Sequence, residues 1–422
     1  MRILFIHQNF PGQFKHLAPA LVELGHQVVA IGMTARKGLS HPYFTYKVKR
    51  GSSRDVHPWV SDYETKVLRA EACADLFHSL KNRGFTPDLI FAHPGWGEAL
   101  LVKEVWPEAK QLHFVEYFYG AQGRDVDFDP EFSNLDFAGR CKLNIKNTNN
   151  LLNLQLMDWG VSPTHWQRST VPEQYHDRIS VIHDGIDTNL IKPNPDAVLK
   201  AVNDRGESLE LSREDCVITF VNRNLEPSRG YHQFMRSLPD IMAANKQVKV
   251  VIIGADGTSY GAKCEEGTWK AKYLNEVKEQ IDLSRIHFLG AVDYQTYQSA
   301  LQISSAHVYL SYPFVLSWSM IEAMSMGAPL VASDTAPVRE VVTDNVNGYL
   351  VDFFDPSALA VKVSEVLKTD QTKISKAARD TAIERYDLKS VCLPAQLSLI
   401  ERVTGLAVKA QAQTGYSMSV RL

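Results

Sequence analysis

Short apolar runs recur along the chain, each ending in polar or glycine-bearing residues, and most are followed by a stretch of helical spacing. RILFIHQ predicts a first β-strand. NFPGQF is a turn holding Pro11 and Gly12, and HLAPALVELG sets Leu17, Leu21 and Leu24 on one helix face before Gly25. HQVVAIG predicts the next strand, and residues 61–83 a long helix. PDLIFAH predicts a strand ending at His93, PGWGEALLVKEVWPEA a helix, and KQLHFVEYFYG a strand ending near Glu116. A helix over NTNNLLNLQLMDW and a strand end at SVIHDGID close the first half. VITFVNRN opens a second series, continued by VKVVIIG, IHFLGAV, HVYL, PLVAS and NGYLV. Strands alternating with helices predict an α/β protein of two Rossmann-like parallel-sheet domains. The expected spans are residues 1–190 for the first domain, 191–215 for a polar linker and 216–370 for the second domain. Residues 371–422 are expected as a helical segment packing back towards the first domain and ending in a loose polar tail.

In open α/β sheets, ligands bind at the carboxyl ends of the strands. The stretch 311–340, SYPFVLSWSMIEAMSMGAPLVASDTAPVRE, follows the strand HVYL with a short loop and a helix from about Ser317 to Met326, closed by Gly327. A helix N-terminus there suits a phosphate, and Glu322 lies close enough to reach a hydroxyl of the same ligand. VNRNLEPSRGYHQF places Arg223 and Arg229 around another strand-to-helix turn, shaped by Pro227 and Gly230; two guanidiniums suit a diphosphate. Singly, each of these residues has an ordinary surface or capping role. Together they describe a nucleoside-diphosphate site. In the first half no G-x-G-x-x-G is present, so no dinucleotide is implied, but Gly12 allows close approach of a ligand to the backbone. His93 and Glu116 fall at strand ends on one side of a sheet and are candidate catalytic residues. Their plain readings are a satisfied sheet-edge histidine and an ion pair with Arg124. DVDFDPEF is read as a polar or acceptor-binding loop in preference to a metal site. Trp96, Tyr117, Phe118 and Tyr119 could stack on a sugar ring or fill a core, and the insert 257–273 could border the site.

Composition narrows the partners. The chain has 422 residues, 45% hydrophobic, with a net charge of −3, so no strong field for nucleic acid or an anionic membrane is expected. Its cysteines, Cys73, Cys141, Cys216, Cys264 and Cys392, have no C-x-x-C spacing and fit a reducing compartment. MRILFIH reads as a strand, not a signal peptide, and no apolar run approaches the roughly 18–20 residues of a membrane span. A soluble cytoplasmic protein is expected. Peripheral membrane association stays open for a lipid acceptor, although no basic amphipathic helix speaks for it.

In their order, NRNLEPSRG, IGADG, IHFLGAV, SYPFVLSWSMIEAMSMGAPLVASDTAPVREVV and NGYLV resemble the C-terminal half of the family-four retaining glycosyltransferases of the GT-B fold. MRILFIHQNFPGQFKHLAPALVELGHQV and ISVIHDGIDT are similar to the opening and close of that family's first domain. The resemblance implies two domains facing a central cleft and a hexosyl transfer that retains configuration. It also implies a nucleotide-diphosphate sugar donor, a sugar, lipid-linked or small-molecule acceptor, and neither metal nor cofactor. It places Arg223 and Arg229 on the diphosphate, Glu322 on the ribose, Leu289 and Gly290 near the base, and the backbone of Val315, Leu316 and Ser317 near phosphate or sugar. The family's donor-sugar glutamate falls at Phe314, a departure from the pattern. The family's strand-end histidine falls by register at Glu116, with His93 the nearest histidine. Alternatives are a nucleotide-sugar epimerase of the same fold, or a non-catalytic partner subunit, which Phe314 favours and the retained Arg223, Arg229 and Glu322 oppose.

Overall fold

The computed structural model describes residues 1–133 and 135–408; the expected loose tail lies outside them, apart from its first residue. The chain forms two compact units. The first comprises residues 1–119, 136–184 and 392 onwards; the second comprises 120–135 and 185–391.

The first unit is built on a seven-stranded parallel sheet: β1 (Arg2–Ile6), β2 (Gln27–Gly32), β3 (Tyr43–Thr45), β4 (Leu89–Ala92), β5 (Lys110–Phe114), β6 (Trp159–Ser162) and β7 (Ile179–Val181), in the order β3-β2-β1-β4-β5-β6-β7. Side chains alternate across a strand, and β1 shows it: Ile3 and Phe5 enter one buried cluster, Leu4 and Ile6 another on the opposite face. Both faces are covered, which is why the strand reads as an unbroken apolar run. The helix Leu393–Thr404 adds Leu399 and Ile400 to the Ile3–Phe5 cluster.

The second unit holds an antiparallel hairpin and a six-stranded parallel sheet. The hairpin is β8 (Val198–Val202) with β9 (Ser208–Ser212). The sheet contains β10 (Val217–Asn224), β11 (Lys249–Ala255), β12 (Ile286–Gly290), β13 (Ala306–Tyr309), β14 (Leu330–Ser333) and β15 (Tyr349–Val351), ordered β12-β11-β10-β13-β14-β15. In β10, Ile218 and Phe220 face one cluster, Val217 and Val221 the other.

The observed limits differ from the expected spans in several places, among them residues 120–135, expected in the first domain and found in the second unit. Residues 191–215, expected as a linker, carry the hairpin within the second unit. The helix expected over 371–404 is two helices, Thr372–Tyr386 in the second unit and Leu393–Thr404 in the first, separated by a wide turn at Leu388–Cys392. Pro394 sits at the first turn of the later helix, where its missing N–H costs no bond. The helix expected over 94–109 is a short 3₁₀ turn, Pro94–Trp96, and a four-residue helix, Val102–Val105, interrupted by the glycine pair of PGWG.

Candidate functional site

Each sheet has one place where strand order reverses: between β1 and β4 in the first unit, and between β10 and β13 in the second. At such a switch point adjacent loops diverge and leave a crevice at the carboxyl ends. Most of the sequence candidates lie near these two places, Leu289 and Gly290 instead ending the edge strand β12, and each is described within its own unit.

In the second unit, β10 carries a register irregularity between Val221 and Asn224, which sets Arg223 on an exposed position of the bulged strand end. The chain then turns through Pro227–Arg229 into the helix Tyr231–Ala244. Gly230 makes that turn at φ 68°, and a Cβ there would stand 2.2 Å from the Leu310 Cβ, so this loop packs against the loop after β13. Bonds stitch the two loops together. The Tyr312 N–H donates to the Ser228 carbonyl at 3.0 Å. Arg229 Nη1 donates to Ser311 Oγ at 2.9 Å and to the Val315 carbonyl at 3.1 Å. Arg229 is largely buried, so it braces the 311–317 loop while Arg223 remains in solvent.

Phe314 is buried edge-on against Tyr260, whose ring lies 5.4 Å from the Arg229 guanidinium carbon. Tyr260 belongs to the insert, which is pinned by Glu226: the Ser259 and Tyr260 N–H groups donate to its Oε2 at 2.9 and 3.0 Å. Burial raises the Glu226 carboxyl above its ordinary range, against these bonds and the charges of Arg229 and Arg223. Leu316 is buried in the core. Ser317 caps the helix Trp318–Ser325 by accepting from the Ser319 N–H. The Ser317 N–H itself is taken by the Tyr309 hydroxyl at 3.0 Å. Glu322 is 5% exposed, and each of its oxygens accepts a tyrosine hydroxyl: Oε1 from Tyr294 at 2.8 Å, Oε2 from Tyr297 at 2.5 Å. Both tyrosines lie on the helix Tyr294–Gln302, which starts four residues after Leu289 and Gly290 end β12. Neither the tyrosine pair nor Glu226 was read from sequence, although the i, i+3 spacing of Tyr294 and Tyr297 does put them on one helix face.

The first unit brings Gly12, His93 and Glu116 together around two residues the sequence reading passed over, His7 and Gln13. His7 follows β1 by one residue, as His93 follows β4, so the same strand-end rule would have found it. Gln13 bridges the group: His7 Nε2 lies 2.8 Å from its Oε1, and its Nε2 donates to Glu116 Oε1 at 3.1 Å. Glu116 Oε2 lies 3.4 Å from His93 Nε2. His93 is held in plane between Trp96, at 4.4 Å, and Phe114, at 5.5 Å, so Trp96 packs against the site histidine. Burial, aided by the neighbouring His93, lowers the His7 pKa to about 3, which keeps that imidazole neutral. A pocket opens beside this cluster, lined by His93, Glu116, Tyr117, Tyr119 and Asn150 among others.

Gly12 sits at φ 46°, and a Cβ there would stand 2.3 Å from His7 Nε2. Gly12→Ala is therefore expected to cost about 1–3 kcal/mol of stability, read as a lowered Tm of the full chain. An unchanged Tm would show that the His7 ring yields freely.

The acidic stretch 120–135 belongs to the second unit, although the residues on either side of it in the chain belong to the first. Asp129 is buried there and accepts from His232 Nε2 at 2.9 Å and the Tyr312 hydroxyl at 2.8 Å. Glu131 pairs with Arg236 through both oxygens. These carboxylates thus anchor the loop to the second unit. Among the described residues, no group of three or more His, Cys, Asp or Glu side chains is disposed to hold a metal ion.

Two family models cover most of this chain. Residues 24–191 match the glycosyl transferase family 4 group, and residues 189–383 match glycosyl transferases group 1. The chain belongs to the family-four glycosyltransferases. Its two-sheet architecture is the GT-B fold of that family.

This family-four chain is 31% identical over 209 residues to the phosphatidyl-myo-inositol mannosyltransferase of Mycolicibacterium smegmatis, covering 47% of this chain and 48% of the relative. It is 26% identical over 210 residues to the D-inositol 3-phosphate glycosyltransferase of the same organism, covering 49% and 44%. The chain thus spans about half the length of the curated relatives it matches. Among solved structures, Anabaena HepE in complex with UDP superposes with a TM-score of 0.64 at 16% identity, over 96% of this chain and 100% of that one. Sucrose-phosphate synthase of Thermosynechococcus elongatus superposes with a TM-score of 0.70 at 17% identity, over 96% and 99%. These two likenesses concern the fold. No helix among the described residues is long and apolar enough to cross a membrane.

Proposed function

We propose that this protein transfers a hexosyl group from a nucleotide-diphosphate sugar to an acceptor hydroxyl, with retention of configuration and without a metal ion. The observation that carries the reading is the second unit's switch point, where the Arg223–Gly230 loop is stitched to the loop preceding a fixed, buried Glu322. In the proposed reaction the bond from the anomeric carbon to the diphosphate oxygen breaks and a bond to the acceptor oxygen forms on the same face. The acceptor proton passes to the departing diphosphate. Arg223 meets the negative charge that develops on that group, and Arg229 holds the loop around it. Glu322 accepts from the ribose hydroxyls. The proposed acceptor group is the first unit's strand-end cluster, with Glu116 and His93 facing acceptor hydroxyls. A double displacement would instead need a carboxylate as nucleophile, and Glu116 is the residue to test for it.

The relatives supply a class of acceptor. The names of both relatives carry inositol, a cyclic polyol, joined to a phosphate group, so the proposed acceptor is a hydroxyl of such a phosphorylated ring, free or lipid-linked. A lipid-linked acceptor would bring the protein to a membrane surface from the cytoplasm. The buried Phe314, where a family carboxylate would stand, favours one second reading, a partner subunit that binds without turnover.

A screen of nucleotide sugars, with and without inositol phosphates, tests the proposal by mass spectrometry, and the anomeric configuration of the product by NMR tests retention. Transfer is expected; an epimerised donor in the absence of acceptor would favour the epimerase, and nucleotide binding without any product the partner subunit. Arg223→Ala is expected to weaken nucleoside-diphosphate binding roughly tenfold or more, by loss of a charge-assisted phosphate contact. Unchanged affinity by calorimetry would remove Arg223 from the site.

A further inference from the structure

A carboxylate buried to the extent of Glu322 needs partners for its lone pairs, and the structure supplies two of an unusual kind. Both are neutral phenols, both come from one helix turn, and each takes a different oxygen. Their rings stack with centroids 5.5 Å apart and planes 27° apart, so the two hydroxyls are held as a pair. An ionised carboxylate is an acceptor only, with about four lone-pair positions. The tyrosines fill one on each oxygen and leave one on each. Burial, followed by the charge of Glu322, pushes both phenols above their ordinary range, so they stay protonated and remain donors.

We infer that Tyr294 and Tyr297 are positioning residues that fix the Glu322 carboxylate so that it selects a ribose over a 2′-deoxyribose. The inference rests on the proposed reading of Glu322 as the ribose-binding group. With both oxygens tethered, the carboxylate cannot turn to share the one hydrogen of a single hydroxyl between them. A vicinal diol satisfies one lone pair on each oxygen. A sugar lacking one hydroxyl leaves a buried, charged acceptor unpaired, and sites built to bind a hydroxyl reject analogues without it for that reason. Removing a tether frees the carboxylate to turn, and the rejection weakens.

The test is calorimetric titration of the wild type, Tyr294→Phe and Tyr297→Phe with UDP, GDP and their 2′-deoxy forms. Each substitution deletes one oxygen and keeps the ring. Tyr294 is 52% exposed, so its variant keeps the fold even if the Tyr297 variant does not. The wild type is expected to bind the ribonucleotide at least about tenfold more tightly than the deoxynucleotide, and each variant to lower that ratio at least about threefold. A merely structural role would weaken both nucleotides together and leave the ratio unchanged. An unchanged ratio in Tyr294→Phe, with wild-type binding intact, overturns the inference alone. A wild type that binds no nucleoside diphosphate overturns the reading of Glu322 and the inference with it.

Discussion

Asp129→Ala is expected to remove about 2–5 kcal/mol from the stability of the second unit, because it leaves two buried hydrogen-bonding groups unpaired at roughly 1–3 kcal/mol each. Asp129 is only 2% exposed and His232 is fully buried. Around them stand Phe132, packed on the His232 ring, and Phe353, packed on the rings of both His232 and Tyr312. Deleting the carboxylate strands His232 Nε2 and the Tyr312 hydroxyl among these rings. Asp129→Asn keeps the shape and one acceptor oxygen, so it should cost less. The sign with pH follows from the carboxyl itself. Burial alone would raise its pKa, but the bonds from His232 and Tyr312 outweigh burial and hold it below the ordinary range. Its contribution is therefore fully present above the unfolded carboxyl pKa, about 4, and is lost as pH falls through the lower folded value. Urea unfolding of the full chain at neutral and acid pH measures both effects. A midpoint for Asp129→Ala equal to wild type at neutral pH would show that the pair is not stabilising.

Glu322→Ala is expected to weaken nucleoside-diphosphate binding by roughly ten- to a hundredfold, the worth of one or two hydrogen bonds to a charged group. The substitution removes the proposed acceptor for a ribose and, at once, the partner of two tyrosine hydroxyls. Glu322→Gln separates these effects, since it keeps one acceptor oxygen. Affinity for inorganic pyrophosphate should not change, because Arg223 and the loop around Arg229 do not depend on Glu322. Equal nucleotide affinity in wild type and Glu322→Ala would exclude Glu322 from the nucleotide site.

What could be read from the sequence was what repeats at short range. Strand ends were legible because both sheets are buried on two faces and each strand is an apolar run with a polar stop. The helix after β13 was legible because a serine cap and a glycine close bracket it: Ser317 accepts from its first turn and Gly327 follows its end. The partners of the site residues were not legible. Tyr294 precedes Glu322 by 28 residues and Gln13 precedes Glu116 by 103, and no periodicity encodes such pairs. Asp127-Phe128-Asp129 was read as a polar or acceptor-binding loop because no other hard-ligand cluster accompanies it; Asp129 is instead buried, because His232 and Tyr312 pair with it. Residues 191–215 were read as a linker because the hairpin is short and half exposed, and its alternation is diluted by charged residues.

The excursion of residues 120–135 also governs how such a protein can be cut and recombined. A gene fusion joined near residue 185 would take Asp129 and Glu131 from one parent and His232, Arg236 and Tyr312 from the other. The join would be silent at the seam and faulty in the interior, with an acid facing the wrong partner. Exchange of the second unit between homologues therefore needs three breakpoints: two flanking 120–135 and one near 185. A fourth, near 391, returns the last helix to its own half. Substitutions at Asp129 and His232 should be inherited together, although 103 residues separate them.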